Sequence, residues 1–176
     1  MSVKPKDPLL AIAKGVVYFM LGAIAFVGVM VAIGAVATLL FGNNVTEYAV
    51  ADTELPGYFR WIITLLLVMV VGALYLGFRF FLHLLRIVKS VGEGDPFVPA
   101  NADRLTAMAW LMLAINLIGI PLSAIGYWIA GFLGEDKVRT DGGIDFGGLL
   151  LILTLFILAR VFRHGTRLRE DLEGTV

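Results

Sequence analysis

Residues 61–88 read WIITLLLVMVVGALYLGFRFFLHLLRIV, and the first 18 of them, from Trp61 to Phe78, carry no charge. About 20 mostly apolar residues cross a bilayer as a helix, because the hydrocarbon core is about 30 Å thick and a helix rises about 1.5 Å per residue. Arg79, the first charged residue, comes about 27 Å along such a helix from Trp61. The stretch therefore predicts a transmembrane helix.

Three further stretches have the same character: Leu9–Phe41, Leu105–Leu133 and Phe146–Phe162. Of the 176 residues, 59% are hydrophobic and 16% are charged, which is too little polar surface for a soluble domain of this size. We predict an all-α polytopic membrane protein, a four-transmembrane-helix bundle that forms one membrane domain over residues 1–176. A cytoplasmic helical extension, residues 163–176, follows the last span, and membrane lipid is the first expected partner.

The basic residues are distributed unevenly along the chain, although the formal net charge is zero. All 14 lysines and arginines except Arg60, Lys137 and Arg139 lie near the two termini or around the connection between spans 2 and 3. Lys and Arg in short flanking segments stay on the cytoplasmic side of a membrane. We therefore expect a multi-pass protein of a bacterial cytoplasmic (inner) membrane, with both termini cytoplasmic.

Motifs that would specify a reaction are missing from the sequence. It has no cysteine, no HExxH, no G-x-S-x-G and no phosphate-binding loop. Two histidines, His83 and His164, could ligate a haem iron, but both are surrounded by arginines and fit interfacial positions better. We expect a protein that is not an enzyme, with no catalytic residue, no cofactor and no metal.

Arg79 is one of two polar residues that we place inside the membrane. Together with Tyr75, His83 and Arg86 it is spaced at helical steps of four, four and three, so the four share one face. The side chain of an interfacial arginine can extend to lipid headgroups. The alternative is that this face binds an anion or a partner.

Asn116 is the second intramembrane polar residue, predicted near the middle of span 3. An amide in hydrocarbon usually forms hydrogen bonds across helices. Its expected partners are Thr64, Thr154 or the carbonyl that Pro121 frees four residues back. A role in a solute path is the alternative, weakened because no acidic residue falls within a predicted span.

Small residues recur four apart in the spans, for example Gly28 and Ala32 in span 1 and Gly119 and Ser123 in span 3. This spacing permits close packing of helices in lipid. It favours packing within the bundle, and it is also compatible with a homo-oligomer.

Two polar segments fall on the predicted cytoplasmic side. Residues Gly92 to Asp95 are typical of a helix C-cap and a tight turn, Pro96 blocks helix after them, and Asn101 is expected to cap the next helix. In the C-terminal segment, Leu168 and Leu172 stand four apart among charged residues, which predicts an amphipathic helix.

These two segments together resemble a family of small four-span bacterial inner-membrane proteins known only as a domain of unknown function. The first segment matches the family's G-x-P-F turn followed by N-x-x-R-L, at Gly94, Pro96, Phe97, Asn101, Arg104 and Leu105. The second matches its F-x-x-G-x-x-L-x-x-D-L-E-x-T ending and the hydrophobic residue after it, at Phe162, Gly165, Leu168, Asp171, Leu172, Glu173, Thr175 and Val176. Members of that family are often encoded beside a lambda-repressor-like helix-turn-helix regulator. The resemblance thus implies a membrane protein that holds or releases a DNA-binding protein.

We therefore hypothesise that a cytoplasmic surface, built from Gly94–Leu105 and Arg163–Val176, binds and sequesters a small helix-turn-helix protein, with no direct contact to nucleic acid. The expected contact residues are Phe97, Arg104, Arg163, Arg167, Asp171, Leu172 and Glu173. Two alternatives stay open: a small-solute transporter or channel that uses Asn116 and the helix around Pro121, and a structural subunit of a larger membrane complex.

Overall fold

A computed structural model describes residues 8–49, 57–132 and 145–173. These residues form four α-helices, and the described part contains no strand: α1 Pro8–Ala49, α2 Phe59–Gly92, α3 Pro99–Phe132 and α4 Phe146–Glu173. Each contains a segment long and apolar enough to cross a membrane. The prediction of an all-helical, four-span membrane protein is confirmed.

The four helices lie in a row that follows their order in the chain. Among the described residues, close backbone approaches occur between α1 and α2, α2 and α3, and α3 and α4, and between no other pair. The bundle is therefore open, and α1 and α4 form its two edges. Large apolar side chains are exposed on both edges, as the surrounding lipid allows, among them Phe19 and Leu40 of α1 and Phe146 and Leu150 of α4.

Helices α1 and α2 pair antiparallel along most of their length. Val17, Leu21 and Leu85 are buried together at one end. At the other end the Thr64 hydroxyl donates a 3.0 Å hydrogen bond to the buried Thr38 hydroxyl. The backbone departs from helical angles inside α1 at Phe41, whereas α3 continues through Pro121.

A Schellman motif ends α2. The Asp95 amide donates to the Ser90 carbonyl and the Gly94 amide to the Val91 carbonyl, at 3.1 and 3.0 Å. Gly94 has a φ of 87°, which suits glycine because it lacks a Cβ. The predicted C-cap and tight turn are thus confirmed.

The start of α3 differs from the expectation that Asn101 caps it. The helix begins at Pro99, and the Asn101 amide already donates to the Val98 carbonyl. Proline suits the first helical position, because its fixed φ is helical and no amide partner is needed there. The side chain of Asn101 therefore has a different role, as a link between α2, the turn and α3.

Contacts between α3 and α4 fix their register. Arg163 pairs with Asp103, Trp110 packs on Phe156 at 5.7 Å between ring centroids, and Asn116 lies beside Gly148. By this register α4 begins near residue 120 of α3, although α3 continues for about twelve more residues, or about 18 Å. The first residues of α4 therefore lie well short of the aromatic cluster in which Trp128 contacts Tyr58 and Phe59.

The last helix also differs from the predicted division into a span and an extension. Helix α4 runs without interruption through Phe162 to Glu173, and its apolar candidate span reaches Leu172. A buried cluster of Leu105, Met108, Ala109, Leu155 and Ala159 joins α3 and α4 just before the arginines begin.

Candidate functional site

Most of the described basic side chains lie at one end of the row, where α2 ends, α3 begins and α4 ends. We call this the basic end, and it comprises Arg86, Lys89, Arg104, Arg160, Arg163, Arg167 and Arg169. The α2–α3 turn packs there directly on α4. The Phe97 and Phe162 rings are 5.3 Å apart between centroids. The Phe97 ring fits against α4 because Gly165 has no side chain. A Cβ at residue 165 would be 2.8 Å from Phe97 Cδ1.

Polar contacts reinforce this docking. The buried Thr166 hydroxyl lies 3.2 Å from the Phe97 carbonyl and 2.9 Å from the Phe162 carbonyl of its own helix. Arg169 forms a hydrogen-bonded ion pair with Asp95 in the turn. The two segments with family-like motifs are thus in contact, although 74 residues separate Asp95 from Arg169.

Asn101 holds the inner side of the turn. It is fully buried, and its Nδ2 donates to Ser90 Oγ at 2.7 Å and to the Pro96 carbonyl at 2.8 Å. Its Oδ1 accepts a 2.8 Å hydrogen bond from Arg104. Because all the polar atoms of the amide are used, Asn101 joins the end of α2, the turn and α3 into one unit.

A groove between α3 and α4 opens at the basic end and contains two cavities. The larger, about 520 Å³, is lined by Thr106, Phe156, Ala159, Arg160, Arg163, His164 and Arg167. The smaller, about 170 Å³, is lined by Pro99, Ala102, Asp103, Arg163, Thr166, Arg167 and Glu170. Arg163 and Arg167 line both cavities.

The predicted contact residues are divided by the structure into two groups. Phe97 and Arg104 make contacts within the protein, although Phe97 keeps 42% of its surface exposed. Arg163, Arg167, Asp171 and Leu172 are exposed on α4. Arg163 Nη2 is 3.6 Å from Asp103 Oδ1. The side chain of Glu173 lies outside the described part of the chain, as do Thr175 and Val176.

The two intramembrane polar residues line neither cavity of this groove. Arg79 is exposed and donates a 3.3 Å hydrogen bond to Tyr75 Oη. The Asn116 Nδ2 donates to the Met112 carbonyl of its own helix at 3.1 Å. The predicted partners, Thr64, Thr154 or the carbonyl freed by Pro121, are therefore wrong. The register explains this, because Gly148 rather than Thr154 lies opposite Asn116, and Thr64 pairs with α1.

Asn116 lines a third cavity, of about 490 Å³, together with Ser123 and Asp145. Asp145 immediately precedes α4, and a Cβ at Gly148 would be 2.6 Å from its Oδ2 and 2.7 Å from Asn116 Nδ2. A carboxylate therefore lies beside the middle of α3. The sequence places Asp145 in a loop, and in the structure it comes just before the candidate span Phe146–Leu172 of α4.

Sequence reasoning missed several residues of the basic end. It assigned Asn101 to a helix cap and did not name Arg160, His164 or Thr166 among the contact residues. Only the i, i+3, i+4, i+7 spacing of Arg160, Arg163, His164 and Arg167 carries a signal for the groove.

Comparison with curated proteins and with solved structures gives no match. A family does match residues 44–176, which include α2, the turn, α3 and α4. The resemblance to a family of unknown function is confirmed in that respect. The chain belongs to the family described as "Protein of unknown function (DUF2975)".

Proposed function

We propose that the basic end faces the cytoplasm and binds a small soluble protein, a helix-turn-helix regulator, holding it away from DNA. The excess of Lys and Arg at this end supports the proposed orientation. The class of partner comes from the family resemblance of the turn and the C-terminal segment.

One observation carries the proposal: apolar side chains are exposed on α4 beyond Arg160, the first charged residue of that helix. Leu168 and Leu172 are 52% and 72% exposed, and Leu172 lies about twelve residues, or about 18 Å, past Arg160. Hydrocarbon cannot cover them if Arg160 lies at the membrane boundary. Leucines four apart on one helical face are the usual anchors when a helix packs into the groove of a partner.

The docked turn supports the same function by keeping this part of α4 in place. Contacts of Phe97, Thr166 and Asp95 fix α4 as far as Arg169. A binding surface that is already ordered loses less conformational entropy when a partner binds. Exposed charges of both signs flank the leucines on the helix surface, at Arg169 and Asp171, and suit a polar rim around an apolar centre.

The test is affinity purification of the tagged full chain from its own membranes after mild crosslinking, with mass spectrometry of the recovered proteins. We expect a small helix-turn-helix protein with the native chain and its loss with Leu168→Glu plus Leu172→Glu. Val91→Glu is the control, because Val91 is 41% exposed on α2 at the same end. Recovery of the same protein with the double variant would contradict the assigned surface.

The charge pattern is tested separately by Arg167→Glu combined with Asp171→Arg. We expect this exchange to abolish recovery of the regulator, since both side chains are exposed beside the leucines. Intact recovery would exclude these two residues from the contact.

A second function, passage of a small polar solute, is favoured by the cavity at Asn116 and Asp145. A carboxylate and an amide beside the middle of a spanning helix are typical of transport paths. We expect a transporter in liposomes to show monovalent cation flux that Asp145→Asn abolishes. Flux no greater than that of protein-free liposomes would reject this function.

A further inference from the structure

The larger cavity of the α3–α4 groove combines two chemistries. Phe156 and Ala159 form an apolar floor, and the rim is polar and mostly cationic, formed by Thr106, Arg160, Arg163, His164 and Arg167. We infer that this cavity binds the phosphate of an anionic phospholipid headgroup, with an acyl chain of the same lipid along the floor.

The rim has the charge that a phosphate requires. Arg160, Arg163 and Arg167 follow one another at helical steps of three and four on one face of α4, and guanidinium groups bind phosphate oxygens with charge-assisted hydrogen bonds. Asp103 contacts the rim from α3, 3.6 Å from Arg163, but it does not line the cavity. Of the three arginines, Asp103 pairs with Arg163.

The floor distinguishes a lipid from a soluble anion. Trp110 packs edge-on against Phe156 with ring centroids 5.7 Å apart and is itself 60% exposed, so the apolar surface continues from the floor to the outside of the row. A free phosphate would cover only the rim. A phospholipid covers both parts, because its phosphate and its chains occupy adjacent depths.

The position along the helix also fits a lipid. Arg160 is the first charged residue of α4, after an apolar run from Phe146 to Ala159. The cavity reaches from Phe156 to Arg167, about 16 Å along the axis. It therefore crosses from the apolar part of α4 to its charged part, where headgroups meet hydrocarbon.

This inference goes beyond the proposed protein binding and does not depend on it. Arg163 and Arg167 take part in both, but Arg160, His164, Thr106 and Phe156 belong to the lipid cavity alone. The experiment uses the purified chain without any protein partner, so its failure would leave the regulator proposal untouched.

The test uses Trp110 as a local reporter in the full chain. Trp61→Phe and Trp128→Phe leave Trp110 as the remaining tryptophan of the three. The protein in uncharged detergent micelles is titrated with bromine-labelled phosphatidylglycerol or with phosphatidylcholine labelled on the same chains, and quenching of Trp110 is followed. We expect phosphatidylglycerol to quench at about tenfold lower mole fraction.

Variants and a soluble competitor complete the experiment. Arg160→Gln plus Arg163→Gln should remove the tenfold preference, whereas Arg79→Gln plus Arg86→Gln, an equal loss of charge on α2, should keep it. Inorganic phosphate at constant ionic strength should not reverse the quenching. Equal quenching by both lipids, equal loss with either double variant, or full reversal by phosphate would each overturn the inference.

A measurement on the native sequence guards against an effect of the tryptophan substitutions. Native mass spectrometry of the unmodified chain should show retained phosphatidylglycerol and no retained phosphatidylcholine at the same lipid concentration. Equal retention of both lipids would overturn the inference irrespective of the fluorescence result.

Discussion

Gly165 and Phe97 are in van der Waals contact across 68 residues of chain, and a Cβ on residue 165 would be only 2.8 Å from Phe97 Cδ1. The absence of a side chain at Gly165 lets the α2–α3 turn lie against α4. This contact joins the turn to the helix that carries the exposed leucines, so it is the most direct place to test whether the basic end is one unit.

We predict that Gly165→Ala loosens the end of α4, because the new methyl group must displace the Phe97 ring. Overpacking of this kind costs about 1–3 kcal/mol. Limited trypsin digestion in detergent should then cleave after Arg163, Arg167 or Arg169 about tenfold faster.

Gly119→Ala is the matched control, since nothing lies within 4 Å of a Cβ at that position. Adding Phe97→Ala to Gly165→Ala should restore part of the protection, because the smaller side chain makes room. Unchanged cleavage of Gly165→Ala would show that the turn does not restrain α4.

A second prediction concerns Gly94, whose φ of 87° closes the Schellman motif. Gly94→Ala should lower the free energy of unfolding by about 1–2 kcal/mol, because a Cβ is crowded in the left-handed region. Gly94→Asn should cost less, since asparagine is the other residue found at this position. Thermal unfolding followed by circular dichroism in detergent gives the order, and equal midpoints for the two variants would argue against a backbone origin.

A third prediction compares two asparagines. Asn101→Ala leaves Ser90 Oγ, the Pro96 carbonyl and a guanidinium N–H of Arg104 without their partner, at a cost of about 1–3 kcal/mol. Asn116→Ala removes only a bond to the carbonyl of its own helix and should cost less than about 1 kcal/mol. The thermal midpoint in detergent measures both, and an equal loss would contradict the role of Asn101 as the link between α2, the turn and α3.

The spans were predictable from the sequence because an uncharged run of about 20 apolar residues matches the thickness of the hydrocarbon core. The order in which the four helices pack side by side was not predictable from the sequence. In lipid a helix is apolar on all sides, so periodicity does not indicate which face meets a neighbour. For the same reason the partner of Asn116 was wrong, whereas the Gly94 turn, which depends on local chemistry alone, was right.

Some residues of the basic end were singled out from the sequence, but their geometry was not predicted. Phe97, Arg163 and Arg167 were chosen from motifs and spacing. The structure brings into contact the two segments that contain them. Spacing along a helix reports local neighbours, whereas the contact of Asp95 with Arg169 depends on how three helices pack. The depth of Asp145 likewise depends on where α4 begins relative to α3.

The last prediction tests where Asp145 lies relative to α3. It concerns Gly148, which is buried against α3. A Cβ there would lie 2.7 Å from Asn116 Nδ2 and 2.6 Å from Asp145 Oδ2. Gly148→Ala should therefore separate α4 from α3 at this level and lower the thermal midpoint, by about 1–3 kcal/mol in stability. At Gly147 a Cβ would meet only Asp145 Oδ1, at 3.2 Å, so Gly147→Ala is the milder control.

The double variant Asn116→Ala plus Gly148→Ala separates crowding from other causes. If the clash with the Asn116 amide dominates, Asn116→Ala makes room for the new methyl group, and the double variant is more stable than Gly148→Ala alone. Such a non-additive result is typical of residues in contact. Strictly additive losses would show that Asn116 and Gly148 do not meet. In that case the register that places Asp145 beside the middle of α3, and with it the cavity favoured for solute passage, would be wrong.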